Sequence, residues 1–373
     1  MAEVMKVAGS LFCVVLAWFA LAEAVPFAAA PSVRVTLTPA PVLALPGTVD
    51  SNSPVIWDLE DGLRKMFVMT SHSGVPSIAE GPEVVRMGTA APITLTPHPG
   101  YGVWMEAIIS DNVDTWYGFY HNEMPATRCG RDDRFEPRIG AAKSTDRGRT
   151  WQDLGIVIQA RLNTIACGST NRYVIGGVGD LSVMLDQDKQ FLYMFYSQYP
   201  TLQYSQGVAV ARIAWADRDR PSRRVELWRN GVWDSSRRRE LVAALPGAQP
   251  TLAWTYVSAT PLVPPAQPWH DTDEKVDAFW GPAVHWNTAI EQYVMLLNRA
   301  KDENYSQEGV YVSYAPRLDD PSLWSAPQKI LNGGRWYPQV IGSSPGTGTD
   351  KLAGATSRFF MGGRSEWVIN FTK

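Results

Sequence analysis

Three carboxylates stand at the mouths of short apolar runs: Asp50 just ahead of residues 52–58, Glu106 at the head of 105–111, and Asp180 opening 180–186. One carboxyl held protonated beside another held ionised is the pair that cleaves a glycosidic bond. The first donates a proton to the leaving oxygen, and the second activates water or attacks carbon. Glu106 is the expected donor, Asp180 the base or the group that sets the donor's pKa, and Asp50 a further carboxylate near the reacting carbon. Arg138 and Gln206 are of types that hold hydroxyls or a carboxylate, and Trp280 and Tyr337 of types that stack on sugar faces. His121 with Glu123 is expected at the rim, and Glu308 as a substrate contact or substitute donor. The plainer alternative is that Glu106 and Asp180 only accept backbone hydrogen bonds, since buried acids are rarely left without partners.

Positioning such residues requires a repeated frame, and the sequence has one. Leu181, Val183 and Leu185 alternate with Ser182 and Met184, an Asp186-x-Asp188 turn follows, and Phe191, Tyr193 and Phe195 carry a second β-rich run, which together predict a hairpin. The pattern recurs at 52–58 with 65–70, 105–111 with 115–120, 281–287 with 292–297, and in a shorter copy at 336–341 with 366–371. Third strands are predicted at 138–144, 206–212 and 308–313, and fourth segments at 155–158, 225–228 and 328–331. Four short strands per unit, repeated at spacings of about 40–90 residues, predict an all-β fold, a five-bladed β-propeller of four-stranded antiparallel blades over 49–373. On its funnel face fall the acids named above together with His121, Arg138, Gln206, Trp280, Glu308 and Tyr337, whereas Asp58, Asp61, Asp111, Asp114, Asp186 and Asp188 lie on the opposite turns as ordinary turn acids. His285, alternating with Val284 and Trp286, is expected to pack inside a blade.

Composition narrows the function classes. The 373 residues are 45% apolar with 15 Trp, enough for a large core, and a net charge of -3 offers no general field for nucleic acid. Lys6, the apolar run 7–22 and the small-x-small site Ala22-Glu23-Ala24 predict a signal peptide over 1–24, the run being shorter than the ~20 residues a span needs. The expectation is a secreted or periplasmic protein with no membrane attachment after cleavage. Residues 25–48, with five prolines at 26, 31, 39, 41 and 46, read as a linker or an extended arm. Cys129 and Cys167 are either a disulfide or two free thiols. No Cys/His set has metal-ligand spacing, so no cofactor is expected, with a calcium ion on the propeller axis left open. Arg212, Arg218, Arg220, Arg223 and Arg224, and the run 237–239, read as solvated surface.

Ser144-x-Asp146-x-Gly148-x-Thr150-Trp151 fits the Asp-box pattern, a structural turn more typical of sialidases. With the acid-bearing strand 180–186 and the Tyr-rich strand 191–197, the chain resembles the five-bladed propeller glycosidases, the arabinanase and β-xylosidase superfamily with its fructan-hydrolysing relatives. The resemblance covers roughly residues 50–373. It implies an Asp in blade one as base, an Asp in blade two that tunes and orients, and a Glu in blade three as acid. This chain offers Asp50, Glu106 and Asp180, so the Glu and the second Asp are exchanged. Asn52 stands where blade one would align with Asp180, and Asp277 is a substitute candidate. The implied activity is hydrolysis of a plant or microbial oligosaccharide or polysaccharide. The alternative is a lectin-like propeller that binds carbohydrate without turnover.

Overall fold

A computed structural model describes residues 27–242, 251–270 and 275–373, and the expected signal peptide lies outside them. Five sheets follow one another along the chain, each with its first strand innermost. Their inner strands are Val55–Glu60, Gly102–Ser110, Val178–Leu185, Ala278–Asn287 and Pro338–Gly342. The hairpin predicted first is present: Val178–Leu185 pairs antiparallel with Phe191–Gln198, and Asp186 accepts backbone N–H groups of Gln190 and Phe191 across the turn. Alternation sends one row of side chains into each gap between blades, so the core is five interlocking layers. Met194 and Tyr196 pack with Phe119 and Ile139 of blade 2, while Phe195 packs with Met295 and Leu297 of blade 4. Val55 and Val68 meet Ile341 and Phe360, which closes the ring from blade 5 back to blade 1.

Of the two expectations for residues 25–48, a linker or an extended arm, the described part from residue 27 resembles the arm. Arg34–Ala44 is a strand lying antiparallel on Arg364–Thr372, so the last blade takes its outer strand from the start of the described chain. Pro39 and Pro41 disguised it. Proline removes a ladder donor, yet it is tolerated on an edge strand, and the register here breaks between Pro39 and Leu43. Three blades exceed four strands: Thr94–Thr96 and Leu352–Ala353 add short parallel pairs to blades 2 and 4, and Val232–Asp234 extends blade 3. A separate hairpin, Arg237–Val242 with Thr251–Tyr256, stands between blades 3 and 4.

The turn at residues 144–151 links the third and fourth strands of blade 2, on the side away from the funnel. Thr150 donates to Asp146 through both its N–H and its hydroxyl, Gly148 takes φ 78°, and Trp151 donates to the Gly148 carbonyl at 2.7 Å. Arg149 then reaches Glu60 and Glu80 of blade 1, tying the two blades together. Cys129 and Cys167 form a disulfide, with Cα atoms 5.2 Å apart.

Candidate active site

Three inner strands break register at the same depth, between Met105 and Ala107, Gly179 and Leu181, and Trp280 and Ala283. A β-bulge re-aims the side chain it carries and frees a backbone N–H. At the first two breaks the extra residue is Glu106 or Asp180. Asp180 takes φ 44°, a left-handed conformation that a short polar residue tolerates better than a branched one.

Each N–H at this depth is taken by a side chain of the preceding blade. Ser71 accepts from Met105 at 3.0 Å, Glu106 from Leu181 at 3.1 Å, Ser197 from Gly281 at 3.0 Å and Asn298 from Tyr337 at 2.9 Å. Gln339 completes the circle, accepting from Ser53 at 2.7 Å. Asn52 donates across the axis to the carbonyls of Leu181 and Pro282, so it is a tie between blades rather than a third acid.

Above this ring lies a cavity of about 260 Å³ that Asp50, His121, Glu123 and Asp180 line. Its other walls are mostly aromatic, Trp104, Tyr173, Trp280, Trp336 and Tyr337 among them. Trp280 packs edge-on against Tyr305, Trp336 and Tyr337, which fixes all four rings. Asp180 accepts hydroxyl hydrogens from Tyr199 at 2.7 Å and Tyr337 at 3.1 Å. Asp50 accepts from the Trp104 indole at 2.7 Å and the Ser73 N–H at 3.3 Å.

His121 stands among the acids. Its Nδ1 is 3.4 Å from Glu106 Oε1 and 3.9 Å from Asp180 Oδ1, and its Nε2 is 3.8 Å from Glu123 Oε1. Burial alone would lower its pKa, but the Glu106 hydrogen bond and the charges of Asp180 and Glu123 outweigh that and push it up to about 9. The Asp180 N–H also points at Nδ1, at 3.4 Å. One nitrogen cannot both accept and donate, and with three carboxylates around the ring the imidazolium, donating to Glu106, is the state that balances charge. Burial and the Asp180 charge push Glu106 up to about 7 against that hydrogen bond. Burial also raises Glu123, where the imidazolium opposes and Asp180 and Asp50 reinforce it. Asp50 is raised by burial, against its indole and backbone donors.

The structure brings Asp50, His121, Asp180, Trp280 and Tyr337 into one pit. Glu106 is 1% exposed and sits behind His121 without lining the cavity. Three other expected contacts stay out of it. Arg138 donates to Asn122 at 2.7 Å and to the Pro99 carbonyl. Gln206 is fully buried, donating to the Pro200 carbonyl and accepting from Trp269 N–H. Glu308 pairs with Lys329 and accepts from Tyr311, which leaves its pKa lowered rather than suited to a donor. All three lie where strand order placed them, but local partners engage them. Asp277 is held by Arg299 at 2.5 and 2.7 Å. Trp104, Tyr173, Tyr199 and Tyr305 were not anticipated. Trp104 shares a strand with Glu106 and was the one readable signal, whereas Tyr173 and Tyr305 come from loops without periodicity.

Glu106, His121 and Asp180 bring donor atoms within 4.8 Å of one another, the set among the described residues that could take a divalent cation. An imidazolium held to about pH 9 competes with a metal for that nitrogen.

No protein-family model and no curated protein matches the sequence. The chain is similar to several solved structures. An endo-arabinase from Bacteroides thetaiotaomicron VPI-5482 is 8% identical, with 89% of this chain and 97% of that one covered and a TM-score of 0.46. An α-L-arabinofuranosidase from Podospora anserina is 12% identical, covering 94% and 98% with a TM-score of 0.42. An exo-β-1,3-galactanase from Phanerochaete chrysosporium is 10% identical, covering 88% of this chain and 64% of that one with a TM-score of 0.46.

Proposed function

We propose that the protein is an exported glycoside hydrolase acting on an oligosaccharide or polysaccharide. The observation that carries this reading is that carboxyls from three blades, Asp50, Glu123 and Asp180, face one aromatic-walled pit in unlike surroundings. Glu123 is the proton donor in this reading. It has a raised pKa, and its nearest charged partner is His121 at 3.8 Å. Asp50, with two N–H donors that favour its anion, is the base that activates water. Asp180, fixed by two tyrosine hydroxyls, keeps the donor's pKa high and binds a sugar hydroxyl. Glu106 then holds His121 and the blade junction from behind. It gives up the donor role because one oxygen engages the Leu181 N–H and neither lines the cavity.

Export rests on the apolar run 7–22 and the Ala22-Glu23-Ala24 site, and a mature N-terminus near residue 25 in secreted protein checks it. Carbohydrate binding without turnover is the second reading, favoured by Asn52 where a blade-one acid would align. Incubation with arabinans, xylans, fructans and sialosides separates the two. Reducing ends released by the wild type and lost in Glu123→Gln support hydrolysis. Sugar binding with no release from any member supports the lectin, and neither binding nor release removes both.

A further inference from the structure

A second concave site lies outside the pit, where the loop after the third strand of blade 3, Gly207–Ala214, meets the inserted hairpin. Arg220, Ser222, Arg223, Arg224, Arg237 and Trp254 line a cavity of about 370 Å³ there. None of them lines the catalytic pit. Four guanidinium groups around one cavity reverse the local sign on a chain whose net charge is -3. Among the described residues, Arg220, Arg223 and Arg237 have no carboxylate within ion-pair distance, and Arg224 has only Asp217 at 3.7 Å. Two other arginines of this blade are paired, Arg212 with Glu226 at 2.7 Å and Arg229 with Asp234 at 3.1 Å, whereas Arg218 lies over the Tyr117 and Trp215 rings. Arg223 takes φ 70°, a left-handed backbone that a long side chain seldom adopts. Trp254 is half-buried, with Arg237 and Arg239 lying over its ring at 5.4 and 5.8 Å.

We infer that this cavity is a non-catalytic binding site for an anionic polysaccharide, one bearing carboxylate or sulfate groups. Planar guanidinium forks match both oxyanions by paired, charge-assisted hydrogen bonds, and an indole beside them supplies an apolar face for a sugar ring. The anion follows from the arginines alone. The choice of a saccharide over nucleic acid rests on the hydrolase or lectin reading and on the shape, one compact cavity rather than a basic stripe tracking a backbone. The inserted hairpin would thereby hold the enzyme on an acidic polymer while the pit works.

Gel retardation of the full-length protein by polygalacturonate, dextran sulfate or neutral dextran tests this. Turnover is read separately as reducing ends, so failure of either proposal shows in its own assay. Retardation by one or both acidic polymers, absent with neutral dextran and weakened by salt, is expected, and which polymer acts identifies the oxyanion. Arg223→Ala/Arg237→Ala and, independently, Arg220→Ala/Arg224→Ala should each weaken it about tenfold or more at unchanged melting temperature and unchanged activity in the pit. The inference is overturned by equal retardation in neutral dextran, by no retardation, by undiminished retardation of both folded double variants, or by tighter binding of duplex DNA.

Discussion

The carboxylate of Glu106 accepts the Leu181 N–H at 3.1 Å and faces His121, whereas that of Glu123 opens into the cavity on the other side of the same imidazole. Position relative to the ring separates their roles. Glu106→Gln keeps an oxygen for Leu181 and should leave a folded protein. Glu106→Ala strands that buried N–H and should cost about 1–3 kcal/mol, read by denaturant unfolding. The pH dependence of stability follows from the same cluster. His121 has its folded pKa raised from 6.5 to about 9, so its contribution is fully present below pH 6.5 and is lost as pH rises through 9. Glu106, raised from 4.5 to about 7, adds a penalty of the same sign that grows between pH 4.5 and 7 and is constant above that. The melting temperature should therefore decline between pH 6.5 and 9, and His121→Gln should flatten that decline. An equal slope in the variant would place the titration elsewhere.

At the scale of elements, loops complete what the strands begin. Tyr173 and Val174 reach the cavity from the segment between blades 2 and 3, and the Cys129–Cys167 disulfide, the Arg131 bond to the Ser169 carbonyl and the Arg134 bond to the Asn171 carbonyl hold that segment. Replacing both cysteines by serine should lower stability by about 2–4 kcal/mol and raise KM more than it lowers kcat, measured by unfolding and steady-state kinetics. The inner hairpins and the acids that open them were legible because period-two alternation and a polar residue at a strand mouth are local signals. Strand Arg34–Ala44 was not, because its prolines read as loop and its partner lies at the other end of the chain. Arg138 and Glu308 lie on the strands expected to carry them and Gln206 immediately ahead of its strand, but nothing local to them announces the backbone groups and side chains that engage them. Sequence marks a residue's strand. It does not mark which neighbour reaches it first.

For the whole molecule, ring closure is the condition that brings acids from separate blades to one depth. The closing blade joins Arg34–Ala44 to Arg364–Thr372, with Val35 and Leu37 packed against the core shared with blade 4. Removing residues 27–44 should cost the cooperative unfolding transition and the activity together, read by calorimetry and reducing-end release, because blade 5 then ends on an unpaired edge and no longer holds Tyr337 firmly against Asp180 in the pit. The most direct test of the account compares Glu123→Gln with wild type on two substrates of the same sugar, a natural glycan and an aryl glycoside whose leaving group needs no proton. The account predicts a fall in kcat of about 10²–10⁴ on the glycan and little change on the aryl glycoside at an unaltered melting temperature. Equal losses on both, or none on either, would contradict it.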